Sequence, residues 1–199
     1  MTPLAEVDLV LASTSRYRRE LLTRLTANFR AVAPEVNEAA LPGEPPAALA
    51  QRLAAAKARD VAQRMPGALV IGSDQVADLD GRILGKPGSP DNAHAQLAAC
   101  SEREVVFHTA ICLVDARETP ARAFAASDIT RVSFRQLAAD EIARYIAREQ
   151  PLDCAGSFKA EGLGIALFER IESVDPTALI GLPLMALCRL LRAAGIVLL

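Results

Sequence analysis

Short, continuously apolar runs alternate along this chain with longer stretches carrying an apolar residue at every third or fourth position. Leu9–Ala12 is a run of the kind buried on both faces of a sheet, and a Ser/Thr turn leads from it into a helix predicted over Arg16–Leu25. A second strand is expected over Phe29–Val32, then a Pro- and Glu-rich loop over Pro34–Pro46. Helix Ala47–Arg64 follows, with Leu49, Leu53 and Val61 on one stripe and Lys57 interrupting that stripe. Met65-Pro66-Gly67 stops it.

Ala68–Gly72 reads as another buried strand, and Asp78-Leu79-Asp80-Gly81-Arg82 as a hairpin turn. A helix over Pro90–Cys100 begins at Ser89. Val105–Val114 and Phe124–Phe134 alternate like paired strands, and Leu137–Arg148 is an amphipathic helix. Gly156 to Gly164 is a glycine-punctuated loop. The last helix starts with Pro183 as its first residue and stops at Gly195. The pattern predicts an α/β fold, and no internal repeat or linker divides residues 1–199, so one domain is expected.

Composition narrows the choice of partner. Of 199 residues, 51% are apolar but only 4% aromatic, and tryptophan is absent, so no aromatic-rich basic surface is offered to nucleic acid. A net charge of −2 also argues against binding a duplex. Cys100, Cys112, Cys154 and Cys188 form no C-x-x-C pair, and with His94 and His108 as the only histidines a structural zinc site is not expected. Leu9–Ala12 is too short for a signal-peptide core. The tail from Ile180 to Leu199 is broken by Pro183, Arg189, Arg192 and Gly195, so neither a leader nor a membrane span is expected, and a cytoplasmic location is.

Arg16, Arg18 and Arg19 crowd the first turn of a helix, where each cation costs roughly 0.3–1 kcal/mol against the helix dipole. A bound anion, cradled with the hydroxyls of Ser13 or Ser15, would offset that; the alternative is that the arginines splay into water and pair with Glu20 or Asp8. Asp74, just beyond the run ending at Gly72, either holds a cation and activates water or caps a turn. Gly85-Lys86-Pro87 is not a phosphate loop of the Walker type, since Asp80 stands where a glycine is required. Lys86 can still turn back toward Asp74, or else lie in solvent. Lys57 either snorkels or faces a ligand. Glu35 and Glu38 flank Asn37 and could add oxygens for a metal, or form a solvated loop. Gly156-Ser157-Phe158-Lys159-Ala160-Glu161-Gly162 resembles a clamp, its glycines admitting a ligand near the backbone, with Glu161 able to accept two N–H groups from a guanine edge. Leu167 breaks a dinucleotide fingerprint, no G-x-S-x-G is present, and His108 is taken as an ordinary strand residue.

Five of these segments, in order, carry a resemblance: Ser13-Thr14-Ser15-Arg16-Tyr17-Arg18-Arg19-Glu20-Leu21-Leu22, Gly72-Ser73-Asp74-Gln75, Gly85-Lys86-Pro87, Cys154 to Gly162, and Gly181-Leu182-Pro183-Leu184. Together they resemble the Maf family of nucleoside triphosphate pyrophosphatases, and within it the YceF branch, the 7-methyl-GTP pyrophosphatases. The resemblance implies a mixed extended sheet flanked by helices, in two lobes around a central cleft. It implies cleavage between the α- and β-phosphates, a divalent cation of the Mg²⁺ or Mn²⁺ type, a cytoplasmic location and often a homodimer. It puts the catalytic carboxylate on Asp74, phosphate binding on Ser13, Arg18, Arg19, Lys57 and Lys86, and the metal on Asp74 with Glu38, Glu35 being the alternative. Base specificity falls on Tyr17, Gln75 and Glu161. Gln75 separates the chain from the dTTP/UTP branch, which resembles it but usually has Thr there; Arg16 stands where the family commonly has Pro. The rival expectations are a dTTP/UTP-type pyrophosphatase, a regulator of cell division that senses nucleotides without cleaving them, and an interaction protein with a vestigial cleft. All catalytic readings require that Arg18, Lys86 and Asp74 share one hollow.

Overall fold

A computed structural model of the protein describes residues 2–199. Its main sheet has the order β3-β2-β4-β6-β7-β8, with β5 on the edge of β4. The strands are β2 (Leu9–Leu11), β3 (Arg30–Ala31), β4 (Leu69–Leu79), β5 (Arg82–Leu84), β6 (Glu104–Asp115), β7 (Arg122–Phe134) and β8 (Phe168–Glu172). β2 lies parallel to β3 and β4, while the long strands β4, β6 and β7 run antiparallel to one another. At the chain ends, β1 (Thr2–Pro3) pairs in parallel with β9 (Ile196–Val197). The helices are α1 (Arg16–Leu22), α2 (Pro46–Arg64), α3 (Pro90–Cys100), α4 (Ala139–Glu149) and α5 (Leu184–Ala193).

Side chains alternate across β4, so its two faces serve different helices. Leu69 and Ile71 join Leu9, Leu11, Leu21 and Leu22 beneath α1 and α5. Val70 and Val76 join Val10, Leu53, Ala58 and Val61 beneath α2. A third core, with Phe107, Phe134 and Phe158 at its centre, gathers α3, α4 and the far ends of the long strands. The strands thus pass from one lobe into the other.

Helix α2 approaches β4 very closely at Gly72. A Cβ there would lie 2.3 Å from the Ala54 carbonyl oxygen and 2.6 Å from the Ala58 nitrogen. Only glycine lets α2 rest this near the strand. The helix turn lowered onto β4 at that point is the one carrying Lys57.

Several boundaries differ from the sequence reading. The strand expected to end at Gly72 continues to Leu79, because β6 pairs with it throughout, from Leu69 opposite Asp115 to Asp78 opposite Val106. Asp74 therefore lies inside a strand, opposite Ala110, and not in a turn beyond one. α1 ends at Leu22, short of Leu25, and Pro183 is the cap preceding α5, not its first residue. β8 was not foreseen: it is a short edge strand whose residues are mostly exposed, without a buried run to betray it. The hairpin at Asp80-Gly81 is as expected; both residues have positive φ (50° and 84°), the geometry of a type I′ turn.

Candidate active site

One edge of β4 carries β2 at residues 69–71 and β5 at residues 77–79, with no strand pairing in between. Into that gap opens a cleft of about 760 Å³, within the range of sites that enclose small ligands. Asp74 stands in the gap and faces α2. Its Oδ1 accepts a 2.6 Å hydrogen bond from Lys57 Nζ, and the same ammonium lies 2.8 Å from Glu38 Oε1. Lys57 and Asp74 are both buried, while Glu38 reaches in from the loop and is largely exposed. Oδ2 of Asp74 takes no hydrogen bond among the described residues. Since no buried side-chain oxygen is left without a partner, Oδ2 meets the solvent of the cleft. Burial raises the Asp74 pKa, outweighing the lowering by the Lys57 and Arg18 charges.

The opposite wall is built by the loop after β2 and the first turn of α1. Ser15 Oγ accepts from the Arg18 N–H at 3.4 Å and caps the helix; Ser13 Oγ accepts from the Ser15 N–H at 3.1 Å. Ser13 is buried and lines the cleft. The three arginines diverge. Arg16 is exposed and lies over the Tyr17 ring, 4.7 Å from its centroid. Arg19 is exposed and lies outside the cleft. Arg16 also lines the cleft, but Arg18 is the one tied to its floor, donating from Nε to the Gly181 carbonyl at 2.8 Å. Its two terminal nitrogens have no partner among the described residues, which leaves the guanidinium fork open. Burial lowers the Arg18 pKa, opposed by the charges of Asp74 and Glu38. An arginine nonetheless stays protonated. Lys86 lines the cleft from the loop after β5 and is exposed. It forms no ion pair among the described residues; of the two readings of Lys86 the structure shows the solvent-exposed one, and the ammonium at Asp74 is that of Lys57.

The cleft is also lined by Tyr17, Gln75, Phe158, Cys154 and Glu161. The Tyr17 hydroxyl lies 3.6 Å from Cys154 Sγ, and its pKa is pushed to about 12, chiefly by burial. Burial likewise takes the Cys154 thiol to about 11. Gln75 spends its amide nitrogen on the Ala178 and Leu179 carbonyls, at 2.9 and 3.0 Å, so only its oxygen is left for a ligand. Glu161 is exposed and unpaired among the described residues.

Arg18, Lys57 and Lys86 therefore share one hollow with the buried carboxylate of Asp74. The Maf-like protein family profile matches residues 8–194. The chain belongs to the Maf family. It is 60% identical over 187 residues to a protein of Xanthomonas oryzae pv. oryzae (strain MAFF 311018) named 7-methyl-GTP pyrophosphatase, covering 94% of this chain and 96% of that one. A Burkholderia thailandensis protein of the same name is 58% identical over 192 residues, covering 94% of this chain and 87% of the other. Among solved structures, the Staphylococcus aureus Ham1 protein aligns with a TM-score of 0.45 and 14% identity, over 64% of this chain and 71% of that one.

Of the Maf motif residues expected at the site, the cleft gathers Ser13, Tyr17, Arg18, Glu38, Lys57, Asp74, Gln75, Lys86 and Glu161, and leaves out Arg19. Glu35, the alternative to Glu38, does not line the cleft; its carboxylate lies 3.7 Å from Arg64. The clamp glycines do not serve a ligand. A Cβ at Gly156, whose φ is +75°, would meet the Phe107 ring; one at Gly162 would meet the Glu149 carboxylate, and one at Gly164 the Lys159 backbone. Missed from the sequence were Ser73, Asp175 and the Gly181 carbonyl. Asp175 is buried and accepts from the Met185 and Ala186 N–H groups at 2.7 and 3.2 Å and from Thr177. An acidic residue ahead of an apolar helix signals such a cap, but nothing local linked it to a distant cleft. No helix among the described residues is long and apolar enough to cross a membrane.

Proposed function

We propose that this protein is a nucleoside triphosphate pyrophosphatase that hydrolyses the α–β phosphoanhydride, with 7-methyl-GTP as its preferred substrate and 7-methyl-GMP and diphosphate as products. The observation that carries this reading is the convergence of Ser13, the open fork of Arg18, Lys57 and Lys86 around Asp74 in a cleft of about 760 Å³. Relatives about 60% identical bear the matching name.

Asp74 is the base of this scheme. Its solvent-facing oxygen accepts the proton of the attacking water, and burial shifts its proton affinity in the direction a general base needs. Arg18 and Lys86 hold the phosphate oxygens and stabilise the charge that passes to the leaving diphosphate. Lys57 keeps Asp74 oriented and tempers the cost of its burial.

The Asp74 and Glu38 carboxylates lie within reach of one ammonium, which fits the two-carboxylate sets that bind Mg²⁺ together with substrate phosphates. No group of three or more His, Cys, Asp or Glu side chains placed to hold a metal is found among the described residues, so Asp74 and Glu38 would hold the ion together with water and substrate phosphate oxygens. When bound, an ion of the Mg²⁺ or Mn²⁺ type would neutralise triphosphate charge and polarise the α-phosphorus.

At the base end, Tyr17 offers a stacking face, and Glu161 a carboxylate for the N–H edge of guanine. An N7-methylated guanine carries positive charge, which a carboxylate and an aromatic face both favour over plain guanine.

Incubating the protein with a panel of canonical and modified nucleoside triphosphates, with Mg²⁺, Mn²⁺ or chelator, and measuring diphosphate release tests the reading. Fastest release from 7-methyl-GTP, abolished by chelator, supports it. Fastest release from dTTP or UTP transfers the chain to the other branch. Binding without release makes it a sensor.

A further inference from the structure

Ser73 and Gln75 flank Asp74 in β4, and alternation along the strand sends both to the face opposite α2. There they grip the same turn. Gln75 Nε2 donates to Ala178 and Leu179 carbonyls, and Ser73 Oγ lies 3.0 Å from the Gly181 carbonyl oxygen. Ser73 is fully buried, and its single hydroxyl proton is shared between Gly181 and the Ala110 carbonyl at 2.9 Å. From the other side Asp175 ties the turn to the start of α5. The Gly181 carbonyl then accepts Arg18 Nε at 2.8 Å. Gly181 itself has φ +116°, and a Cβ there would lie 3.5 Å from Arg18 Nε.

The strand ladder asks for no hydroxyl at position 73. What the hydroxyl does is fix the carbonyl oxygen that in turn fixes the guanidinium plane. An arginine side chain is long and has many rotamers, and the terminal nitrogens of Arg18 have no other tether among the described residues. We propose that Ser73 is a positioning residue for phosphate binding, acting through the Gly181 carbonyl to hold the Arg18 fork toward the cleft. Asp74 and the fork are thereby set by adjacent residues of one strand. This rests on reading the cleft as a triphosphate site.

A double-mutant cycle tests it, because coupling shows as non-additivity. Wild type, S73A, R18K and S73A/R18K are compared for inorganic diphosphate affinity by calorimetry, and for kcat and KM with 7-methyl-GTP. S73A alone should weaken diphosphate binding and lower kcat by about tenfold, the scale of losing one buried hydrogen bond, with the 7-methyl-GTP to GTP preference unchanged. In the R18K background, where no Nε fork remains to be aimed, S73A should change neither by more than about twofold by the same rule. An equal loss in both backgrounds overturns the proposal, since a purely structural serine would act in each alike. Should S73A fail to fold, S73C, of similar size but a weak donor, enters the same cycle with the same two outcomes. A wild type that releases no diphosphate from any triphosphate overturns the functional reading, while the diphosphate affinities still decide the role of Ser73.

Discussion

Substituting Gly72 by alanine should disable the site from behind. The added Cβ would sit 2.3 Å from the Ala54 carbonyl oxygen, 2.6 Å from the Ala58 nitrogen and 2.9 Å from the Ala58 Cβ. Two of these are backbone atoms, so no rotamer change relieves the overlap. Restoring ordinary contact requires α2 to retreat by about 1 Å. Overpacking of this kind costs about 1–3 kcal/mol, and a backbone obstacle places the cost toward the upper end. For a chain of this size about 3 kcal/mol corresponds to a Tm lower by roughly 6–12 °C. Lys57, on the displaced turn, would lose its 2.6 Å bond to Asp74, and misplacement by about 1 Å can cost ~10²-fold in turnover. Thermal unfolding and diphosphate release measure the two effects. Gly85, where a Cβ would meet nothing within 4 Å, is the control; Gly85→Ala should change stability by no more than about 0.5 kcal/mol. A Gly72→Ala protein melting and turning over like wild type would refute the claim that α2 is seated on the strand at this glycine.

Lys57→Met removes the charge that lowers the Asp74 pKa, so that carboxyl shifts further upward; the acid limb of the kcat/KM profile should move to higher pH, and an unmoved limb would detach Asp74 from it. Asp175→Ala strips the start of α5 of its buried cap and should cost about 1.5–3 kcal/mol in urea unfolding; a loss under about 0.5 kcal/mol would show the cap to be dispensable. Glu161→Ala should narrow the ratio of kcat/KM for 7-methyl-GTP over GTP with thermal stability untouched, since the side chain is exposed; an unchanged ratio would move base selection elsewhere in the cleft.

Element types were legible where the hydrophobic period was strong. The runs at Leu9 and Leu69, the alternation through β6 and β7, and the Ser89-Pro90 helix start all match their elements. β4 was read too short because Gly72-Ser73-Asp74-Gln75 looks polar; only pairing with β6 sustains it as strand. Lys57 announced itself by interrupting an apolar stripe, and the structure gives the reason in Asp74 and Glu38. Three arginines in one turn pointed to an anion, yet a side chain's direction is not written in its spacing: Arg18 is drawn inward by a carbonyl 163 residues away, Arg16 lines the cleft as an exposed side chain over Tyr17, and Arg19 remains outside. The clamp glycines were misread for a related reason. What occupies the space of a missing Cβ, whether ligand, ring or carboxylate, is decided by tertiary packing.

Diphosphate release from 7-methyl-GTP by wild type and Asp74→Asn tests the central claim most directly. Wild type should yield 7-methyl-GMP and diphosphate in equal amounts. The variant should unfold cooperatively and still bind inorganic diphosphate, yet turn over at least ~10²-fold more slowly, the lower bound for loss of a general base. Near-normal release by Asp74→Asn would contradict the account.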